Sequence, residues 1–219
     1  MIALRESITW SSTVPVAAEV VLTPDGAHTG LLYRNAIGEL RVLDLAFHYR
    51  LRHQPAATWS GASVVTTLDP VQAELVAAYS EMMSQLVGHA IPYAFRYTDG
   101  GLTQGRYVGG TDHGLTCSTF VLAVVLAASG VELLDRASWQ PRAADLEAHQ
   151  RLLGELERWQ QQGRVTPAHV EAVRREQGCM RYRPVEAAAA SAMRPHPVHF
   201  NAAEPAGDAV LAQLGVLFR

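Results

Sequence analysis

The sequence predicts an α+β fold, because strand patterns fill its first third and helical patterns fill most of the remainder. Residues 14–22 form an apolar run rich in β-branched side chains, and two more strand-like runs follow at 27–34 and 39–47. From residue 69 onward, apolar side chains recur at the spacing of three to four residues that is typical of helices. These patterns favour a small antiparallel sheet accompanied by helices.

Two turn signals separate the strand-like runs. Thr23-Pro24-Asp25-Gly26 combines a proline that presets φ with a glycine that is free to adopt positive φ. Asn35-Ala36-Ile37-Gly38 forms the second turn signal. Because the second connection is short, the strands at 27–34 and 39–47 are expected to pair as an antiparallel hairpin.

Helix signals follow from the middle of the chain onward. The first helix is expected to begin at Asp69-Pro70, where an N-cap precedes a proline at the first helical position, and to end near Gly88. The second is strongly apolar and precedes Gly130, a typical helix stop. The predicted helices after the first cover residues 117–129, 143–162, 167–178, 184–193 and a final segment from 208.

Two stretches lack a regular pattern. Residues 92–114 are rich in Gly and Tyr and are predicted to form a loop with aromatic anchors, and the proline-rich residues 194–207 are predicted to be irregular. The sequence has no internal repeat and no linker long enough to divide two domains. Residues 1–219 are therefore expected to form a single domain, large enough to fold without disulfides or a structural metal.

Composition excludes several classes of protein. With 48% hydrophobic and 18% charged residues, the chain is neither disordered nor a coiled coil. The net charge of −3 argues against nucleic-acid binding driven by phosphate contacts, and two cysteines cannot form a disulfide framework. The longest apolar run, 119–129, is too short to span a bilayer, and the first residues lack a signal-peptide pattern. We therefore expect no membrane span and a cytoplasmic location.

Cys117 is the strongest candidate for a nucleophile. It opens an apolar helix directly after the glycine-rich residues 109–114. The free N–H groups and the positive dipole end at a helix start favour the thiolate, and the same N–H groups can stabilise an oxyanion. A free cysteine is more often a small buried apolar side chain, so this position alone does not decide its role.

A cysteine nucleophile needs a base, and His28 is the best candidate among the nine histidines. It lies directly after the first turn, in His28-Thr29-Gly30-Leu31, where its ring can face a partner helix. Asp44 lies in the next strand within an apolar run, where a carboxylate is expensive to bury unless it is paired. A hairpin would place it beside His28, where it would orient the imidazole. The alternative is that both are surface residues of the strands.

Other candidates carry weaker signals. His113, four residues before Cys117, could contact substrate or compete as the base, although a solvated loop position is the plainer interpretation. His48 and His53 are expected in a loop after the second strand, and Cys179 lacks any activating pattern. The histidines of the proline-rich stretch have no cysteine or carboxylate at metal-ligand spacing, so no metal is expected.

The segment before and after Cys117 resembles the nucleophile motif of NlpC-type papain-like cysteine peptidases. That family carries a Tyr, a Gly-Gly pair and then Cys-Ser at the start of an apolar helix, matched here by Tyr107, Gly109-Gly110 and Cys117-Ser118. Thr116 stands where the family usually has Asp, and Thr119 stands where it has Gly or Ala.

The order His28, Asp44, Cys117 is similar to that of the circularly permuted branch of this superfamily, which includes lecithin–retinol acyltransferase-like proteins. In that branch a His-x-Gly-aliphatic strand comes first, a polar residue follows on the next strand, and the cysteine helix comes much later. The resemblance implies a permuted papain-like fold, with a small antiparallel sheet packed on the cysteine helix. The core would span about residues 15–130, and residues 131–219 would be a helical elaboration.

The resemblance also implies roles for single residues. Cys117 would be the nucleophile, His28 the general base and Asp44 the orienting group. Three further residues would contribute to the oxyanion site or line the substrate site: Tyr107, Ser118 and His113. Tyr107 has an equally plausible interpretation as a core aromatic residue, and the third polar position varies in the superfamily.

The function implied is that of a cysteine hydrolase that cleaves an amide, peptide or isopeptide bond through a thioester acyl-enzyme, without a cofactor or metal. The substrate would be a peptide, a protein or a small amide. An acyltransferase that uses the same Cys-His pair, and an inactive binding module on the same fold, are the alternatives. The helices from 143 to 177 would cap the site, form a homodimer interface or dock a protein partner.

Overall fold

The computed structural model describes residues 2–4, 16–24, 26–85, 91–97, 101–110 and 113–217. Over these residues the fold is α+β, as predicted, with one six-stranded antiparallel sheet and a separate two-stranded hairpin. The strands of the large sheet have the spatial order β1-β6-β2-β3-β4-β5. The strands are β1 (Ile2–Leu4), β2 (Val16–Thr23), β3 (Gly26–Arg34), β4 (Leu40–Phe47), β5 (Arg50–Pro55), β6 (Ala62–Val65), and, in the hairpin, β7 (Leu102–Thr103) and β8 (Arg106–Tyr107).

The predicted hairpin of β3 and β4 is confirmed, and β2 extends it on the other side of β3. β2 pairs with β3 and β3 pairs with β4, both antiparallel. The turn between β3 and β4 depends on Gly38, whose φ of +86° is costly for any residue with a Cβ. Asn35 closes the same turn, since its main-chain oxygen accepts from the Gly38 N–H and its side-chain oxygen accepts from the Glu39 N–H. Asp25 of the first turn lies outside the described residues.

The helices begin close to where the sequence predicts, with one exception. At the first helix, Asp69 caps the start by accepting the Gln72 N–H, while the predicted end at Gly88 lies outside the described residues. The second helix ends as predicted at Gly130, whose φ is +72°. The helices are α1 (Pro70–Gln85), α2 (Cys117–Ser129), α3 (Ala143–Gln161), α4 (Pro167–Arg175), α5 (Pro184–Ser191) and α6 (Phe200–Leu217).

The exception is the last helix, for which the predicted start at 208 is wrong. α6 begins at Phe200 and contains Pro205, so residues 200–207 are helical rather than irregular. Pro205 removes one hydrogen bond from the helix, a loss of about 3 kcal/mol in an isolated helix. Packing on α5 compensates for that loss, because Gly207 lies so close that a Cβ there would be 3.0 Å from the Glu186 Cγ.

Strands β1, β5 and β6 are not predicted from the sequence. The prediction of a loop over residues 92–114 is wrong at 102–107, where β7 and β8 form a hairpin. β5 has the sequence Arg-Leu-Arg-His-Gln-Pro, and its single fully apolar side chain gives no alternating pattern. It lies at the edge of the sheet beside β4, where polar side chains are tolerated because one side of the strand faces solvent. Its position next to β4 matters for the site described below.

One face of the sheet supports α2, the helix that begins at Cys117. α2 packs on β3 and β4 through a shared apolar core that includes Leu31, Leu43, Phe120 and Val124. The C-terminal helices α5 and α6 cover a second apolar cluster against β2 and β6. None of the helices within the described residues is both long and apolar enough to cross a bilayer.

Candidate active site

The start of α2 is fixed by two threonines. The Thr116 side chain accepts a hydrogen bond from the Thr119 N–H at 3.2 Å, and the Thr119 hydroxyl oxygen accepts one from the Thr116 N–H at 2.7 Å. This reciprocal cap makes Cys117 the first residue of the helix. The two positions at which the sequence departs from the NlpC-type motif are therefore the two that cap this helix.

His28 and Asp44 lie side by side, as the hairpin interpretation predicts. The His28 Nε2 is 2.8 Å from the Asp44 Oδ2, and the Asp44 side chain is fully buried. Register explains the contact: Leu31 pairs with Leu43, so Gly30 comes opposite Asp44. A Cβ on Gly30 would be only 2.8 Å from the Asp44 Cβ. The absence of a side chain on Gly30 therefore lets the carboxylate reach diagonally to His28.

Arg52 completes this polar row from the neighbouring strand. It pairs directly with Asp44 in the β4–β5 register, and its Nη2 is 2.6 Å from the Asp44 Oδ2. The Arg52 Nε lies 3.0 Å from the same oxygen, and its Nη2 lies 3.5 Å from the His28 Nε2. The buried carboxylate is thus held by two groups that can be cationic, which satisfies the requirement that a buried charge be paired.

Trp59 packs against the outer part of the same cluster. Its ring centroid lies 5.6 Å from that of His28, and the Arg52 guanidinium carbon also lies 5.6 Å from the Trp59 ring centroid. A cation over an indole ring is favourable, so Trp59 helps to hold both side chains in place. Arg52 remains 39% exposed and His28 13% exposed, so the cluster meets solvent on this side.

The His28 imidazole and the Thr29 backbone N–H are near enough to the Cys117 sulfur to shift the pKa of its thiol. Because Asp44 engages the Nε2, the ring nitrogen that is left for the sulfur is the Nδ1. Burial alone raises the pKa of Cys117, but the His28 charge and hydrogen bond, together with the Thr29 N–H, lower it to about 7. Burial lowers the pKa of His28, but the Cys117 charge and the Asp44 hydrogen bond raise it to about 10. The two shifts favour the thiolate–imidazolium form of the pair.

Tyr93, rather than Tyr107, contacts the nucleophile. The Tyr93 hydroxyl lies 3.5 Å from the Cys117 backbone nitrogen and 3.9 Å from its sulfur. Burial and the Cys117 charge hold the pKa of Tyr93 well above its usual range, so the hydroxyl remains a donor. Within the described residues the Tyr107 hydroxyl is buried and makes no hydrogen bond. A role for Tyr107 in lining the site stays a prediction.

Ser118 and His113, the other predicted lining residues, lie near Cys117 in the chain but contribute less to the cluster. The Ser118 hydroxyl is buried, with its oxygen 4.0 Å from the Cys117 sulfur. His113 is half-buried, and its backbone N–H donates to the Gly110 oxygen. The charge that lowers the pKa of the Cys117 thiol is that of His28, not of His113. Substrate contact by either residue stays a prediction.

The expectation of a loop position is wrong for His53 and right for His48, which lies in the turn between β4 and β5. His53 lies on β5, where its Nε2 is 2.9 Å from the Tyr33 hydroxyl. His48 is 2% exposed, and its Nδ1 accepts the Tyr93 N–H at 3.2 Å. Burial lowers the pKa of both rings, that of His48 to about 4. The cause of the error is the unrecognised β5, which turns the presumed loop back onto the sheet.

Three residues of the cluster escaped sequence reasoning: Arg52, Trp59 and Tyr93. Arg52 could have been found if β5 had been recognised, because an edge strand after β4 places an arginine opposite the buried aspartate. Trp59 and Tyr93 lie in irregular segments, and no short motif marks them. Within the described residues, no three His, Cys, Asp or Glu side chains come together in a way that could hold a metal ion.

Comparisons of the chain with family models, with curated proteins and with solved structures gave no match. The functional argument therefore rests on the geometry of the cluster itself. A buried carboxylate bonds an imidazole, and both lie near a thiol at the first residue of a helix. This arrangement can generate a thiolate near neutral pH, and it places N–H and O–H donors beside that thiolate.

Proposed function

We propose that the protein is a cysteine hydrolase that cleaves an amide, peptide or isopeptide bond through a thioester acyl-enzyme. The observation that carries the proposal is the buried Asp44–His28 hydrogen bond near Cys117, which is the first residue of α2. A structural cysteine needs no imidazolium at its sulfur, and a buried aspartate is costly without a purpose or a partner. The arrangement of nucleophile, base and orienting group is the one that activates thiols in catalysis.

In the first step the Cys117 sulfur attacks the carbonyl carbon of the substrate, and the carbonyl electrons move to oxygen. That oxyanion would accept hydrogen bonds from the Cys117 N–H, which in the resting protein points at the Tyr93 oxygen, and from the Tyr93 hydroxyl. Imidazolium His28 then gives its proton to the departing amine nitrogen as the carbon–nitrogen bond breaks. The product is a thioester on Cys117.

In the second step His28 takes a proton from water as that water attacks the thioester carbon. The carbon–sulfur bond breaks, the carboxylic acid leaves, and the proton on His28 again balances the thiolate. Asp44 holds the imidazole through its Nε2 in both steps, which leaves the Nδ1 to give and take the proton. Arg52 keeps Asp44 in place without touching the reacting atoms.

We further propose that the fold is the permuted papain-like one. Its support lies in the order of the elements: the base is on β3, the orienting residue is on the antiparallel neighbour β4, and the nucleophile opens the later helix α2. α2 packs on the strands that carry the other two residues. The helices after residue 131 would be additions to that core.

An acyltransferase is the second candidate, and one observation favours it. Cys117 is only 4% exposed, so a thioester there would be screened from bulk water. A screened thioester survives long enough to meet an amine or another acceptor. The chemistry up to the thioester is the same in both candidates, and only the second nucleophile differs.

The first test is the pH dependence of alkylation by iodoacetamide, with each cysteine followed by mass spectrometry. Cys117 is expected to react with a midpoint near 7, well below that of Cys179, because His28 stabilises its thiolate. His28→Ala should raise the Cys117 midpoint to the ordinary thiol value of ~8.5 or above. His53→Ala, which removes a histidine from the adjacent edge strand, is the matched control and should leave the midpoint unchanged.

A second test separates the two candidates and the inactive alternative. The protein is mixed with activated acyl esters and small amides, and Cys117 is examined for an acyl mass increase. Release of free acid supports the hydrolase, whereas preferential transfer to an added amine supports the acyltransferase. If Cys117 is activated but gains no acyl group from any ester or amide, the inactive binding module is the better description. If both cysteines titrate as ordinary thiols in the first test, the catalytic proposal is wrong.

A further inference from the structure

Residues 91–97 form an irregular segment that carries Tyr93 to the nucleophile. Backbone hydrogen bonds hold its beginning: the Tyr49 N–H donates to the Ile91 oxygen at 3.0 Å, and the Leu115 N–H donates to the Pro92 oxygen at 2.9 Å. The second contact ties the segment to the chain just before Cys117. Beyond Pro92 the segment has no neighbouring strand, so its peptide groups need other partners.

Buried side chains supply those partners. The two peptide groups of Tyr93 are held between two histidines: its N–H donates to the His48 Nδ1 at 3.2 Å, and its oxygen lies 3.1 Å from the His169 Nε2. Further along, the Glu176 Oε2 accepts the Phe95 N–H at 2.9 Å and the Arg96 N–H at 3.2 Å. The three residues are at most 5% exposed.

Apolar packing joins the same segment to the C-terminal helices. Ala94 and Phe95 are buried in a cluster with side chains of α3 and α4, including Leu156 and Val173. The rings of His48 and His169 lie 4.4 Å apart between that cluster and Tyr93. α4 thus contributes both an apolar face and His169, and Glu176 follows directly after it.

Burying His48, His169 and Glu176 costs desolvation free energy. Two buried imidazoles and a buried carboxylate lose their hydration, and each of them hydrogen-bonds to the backbone of one short segment. An apolar contact would bury the segment equally well but would leave the Tyr93 backbone free to shift. What the polar contacts add is a fixed position for the Tyr93 hydroxyl beside the Cys117 sulfur and backbone nitrogen.

We infer that His48, His169 and Glu176 are positioning residues for the reaction, and that α3 and α4 serve to hold Tyr93 at the nucleophile. We call these three side chains the Tyr93 brace. This inference rests on the proposed function. It assigns a role to the helices from 143 to 177: they fix the position of Tyr93, although they lie about 50 residues or more after it in the sequence.

The test compares two substitutions at one position. His169→Leu fills the site but cannot donate to the Tyr93 oxygen, whereas His169→Gln keeps an N–H donor at a similar reach. Val173→Ala is the matched control, because it weakens the core on the same helix without removing a hydrogen bond to the segment. Hydrogen exchange of the peptide covering 91–97 and the pH profile of Cys117 alkylation are measured for each full-length variant.

His169→Leu is expected to raise exchange in the segment and to slow Cys117 alkylation at pH 7 by about threefold, the size of one weak hydrogen bond to a thiolate. Tyr93→Phe should give a similar loss, and the double variant should show no further loss, because both changes remove the same contact. His169→Gln should restore the wild-type pH profile of Cys117 alkylation. Val173→Ala should lower the melting temperature but leave the Cys117 profile unchanged.

Several outcomes would overturn the inference. These are unchanged exchange in His169→Leu, raised exchange with an unchanged Cys117 profile, additive losses in the double variant, or an equal shift in Val173→Ala. If His169→Leu does not fold, Glu176→Gln replaces it, and an unchanged Cys117 profile in that variant has the same meaning. Failure of the proposed function is seen separately, in the wild-type protein and in His28→Ala, before any brace variant is made.

Discussion

The two cysteines of the chain are both withdrawn from solvent, and burial raises the thiol pKa at both. Cys117 is buried and Cys179 is half-buried. At Cys179 burial is reinforced by the neighbouring Glu176 carboxylate, and the pKa rises to about 12. At Cys117 the imidazolium of His28 and nearby hydrogen-bond donors reverse the effect of burial and bring the pKa to about 7.

The contrast extends to the backbone at each cysteine. Cys117 is the first residue of α2, where unpaired N–H groups and the positive dipole end favour an anion. Cys179 follows the end of α4, and its N–H donates to the Glu176 main-chain oxygen. The comparison teaches that burial does not by itself make a cysteine inert or reactive. The sign of the charges around the sulfur decides between the two outcomes.

Asp44→Asn is expected to have the largest effect on the difference in reactivity between Cys117 and Cys179. The change keeps the shape of the side chain but lets its amide donate to the His28 Nε2, which places the ring proton on Nδ1. The neutral ring then has no lone pair at Nδ1 to accept a proton from the thiol or from water. Loss of an orienting carboxylate of this kind lowers turnover by roughly 10³–10⁴-fold. We expect that loss in the rate of acyl release from Cys117, while Cys179 alkylation stays unchanged.

The control for this experiment is Asp208→Asn, because Asp208 makes a surface ion pair with Arg183 far along the chain. It should leave turnover within the error of the wild type. A turnover in Asp44→Asn within tenfold of wild type would remove Asp44 from the catalytic group and leave it as a structural partner of Arg52.

The pH dependence of stability tests a second buried group, His48, which contacts both Tyr93 and His169. Burial and the neighbouring His169 lower its pKa from 6.5 to about 4, so between those values the unfolded chain binds the proton and the folded chain does not. The stabilising contribution is therefore complete above 6.5 and is lost as the pH falls to about 4. The full loss is about 3 kcal/mol.

The measurement is urea unfolding of wild type and His48→Asn between pH 7 and pH 4. Asn does not titrate, and its side-chain oxygen can still accept the Tyr93 N–H, so the free energy of unfolding should fall less steeply with acid than in wild type. His199→Asn, at an exposed histidine, should follow the wild-type curve. Parallel curves for wild type and His48→Asn would show that His48 does not titrate in this range.

Gly30→Ala is expected to have an effect of intermediate size. The added Cβ would meet the Asp44 Cβ at 2.8 Å, with little room for either strand to move. Such overpacking lowers the free energy of unfolding by about 1–3 kcal/mol. Because the carboxylate is displaced from His28, the Cys117 alkylation midpoint should also rise, whereas Cys179 should not respond.

Gly154→Ala supplies the matched control for this substitution. Nothing lies within 4 Å of a Cβ at this position on α3, and alanine favours a helix over glycine by about 1 kcal/mol. The same chemical change should therefore stabilise the protein at 154 and destabilise it at 30, as measured by thermal or urea unfolding. Equal effects at both positions would mean that Gly30 is not a close-contact position.

The parts of the structure that could be predicted are those with local signals. The turn before Gly38 and the apolar runs on either side of it predicted β3 and β4, and that pairing alone brought His28 toward Asp44. The start of α2 was predictable because a glycine-rich loop precedes an apolar helix at Cys117. In each case the deciding interactions lie within a few residues or in adjacent strands.

The remainder depends on contacts between distant segments. β5 carries Arg52 to Asp44, but its polar sequence has no strand periodicity, and only the edge of an existing sheet explains it. Tyr93 reaches Cys117 because of residues as far away as His169 and Glu176, which no motif connects. α6 begins before Pro205 because packing on α5 outweighs the local preference of proline. Such tertiary effects cannot be found from propensities.

Glu176→Gln is expected to have the smallest effect, but it should change the alkylation rates of both cysteines. Glu176 accepts two N–H groups of the segment that holds Tyr93, and its charge raises the pKa of Cys179. Glu176→Gln removes the charge and weakens the hold on the segment. Cys179 alkylation at pH 9 should become about two- to fivefold faster, and Cys117 alkylation at pH 7 should become slower by a similar factor.

Opposite changes at the two cysteines are the informative result, because a general loosening of the fold would speed both reactions. Glu171→Gln is the matched control: Glu171 lies on α4 and pairs with Arg174 at the surface, so neither cysteine should respond. If Glu176→Gln accelerates Cys179 and leaves Cys117 unchanged, the carboxylate acts on the second cysteine alone. The two regions would then be independent, although they share one buried side chain.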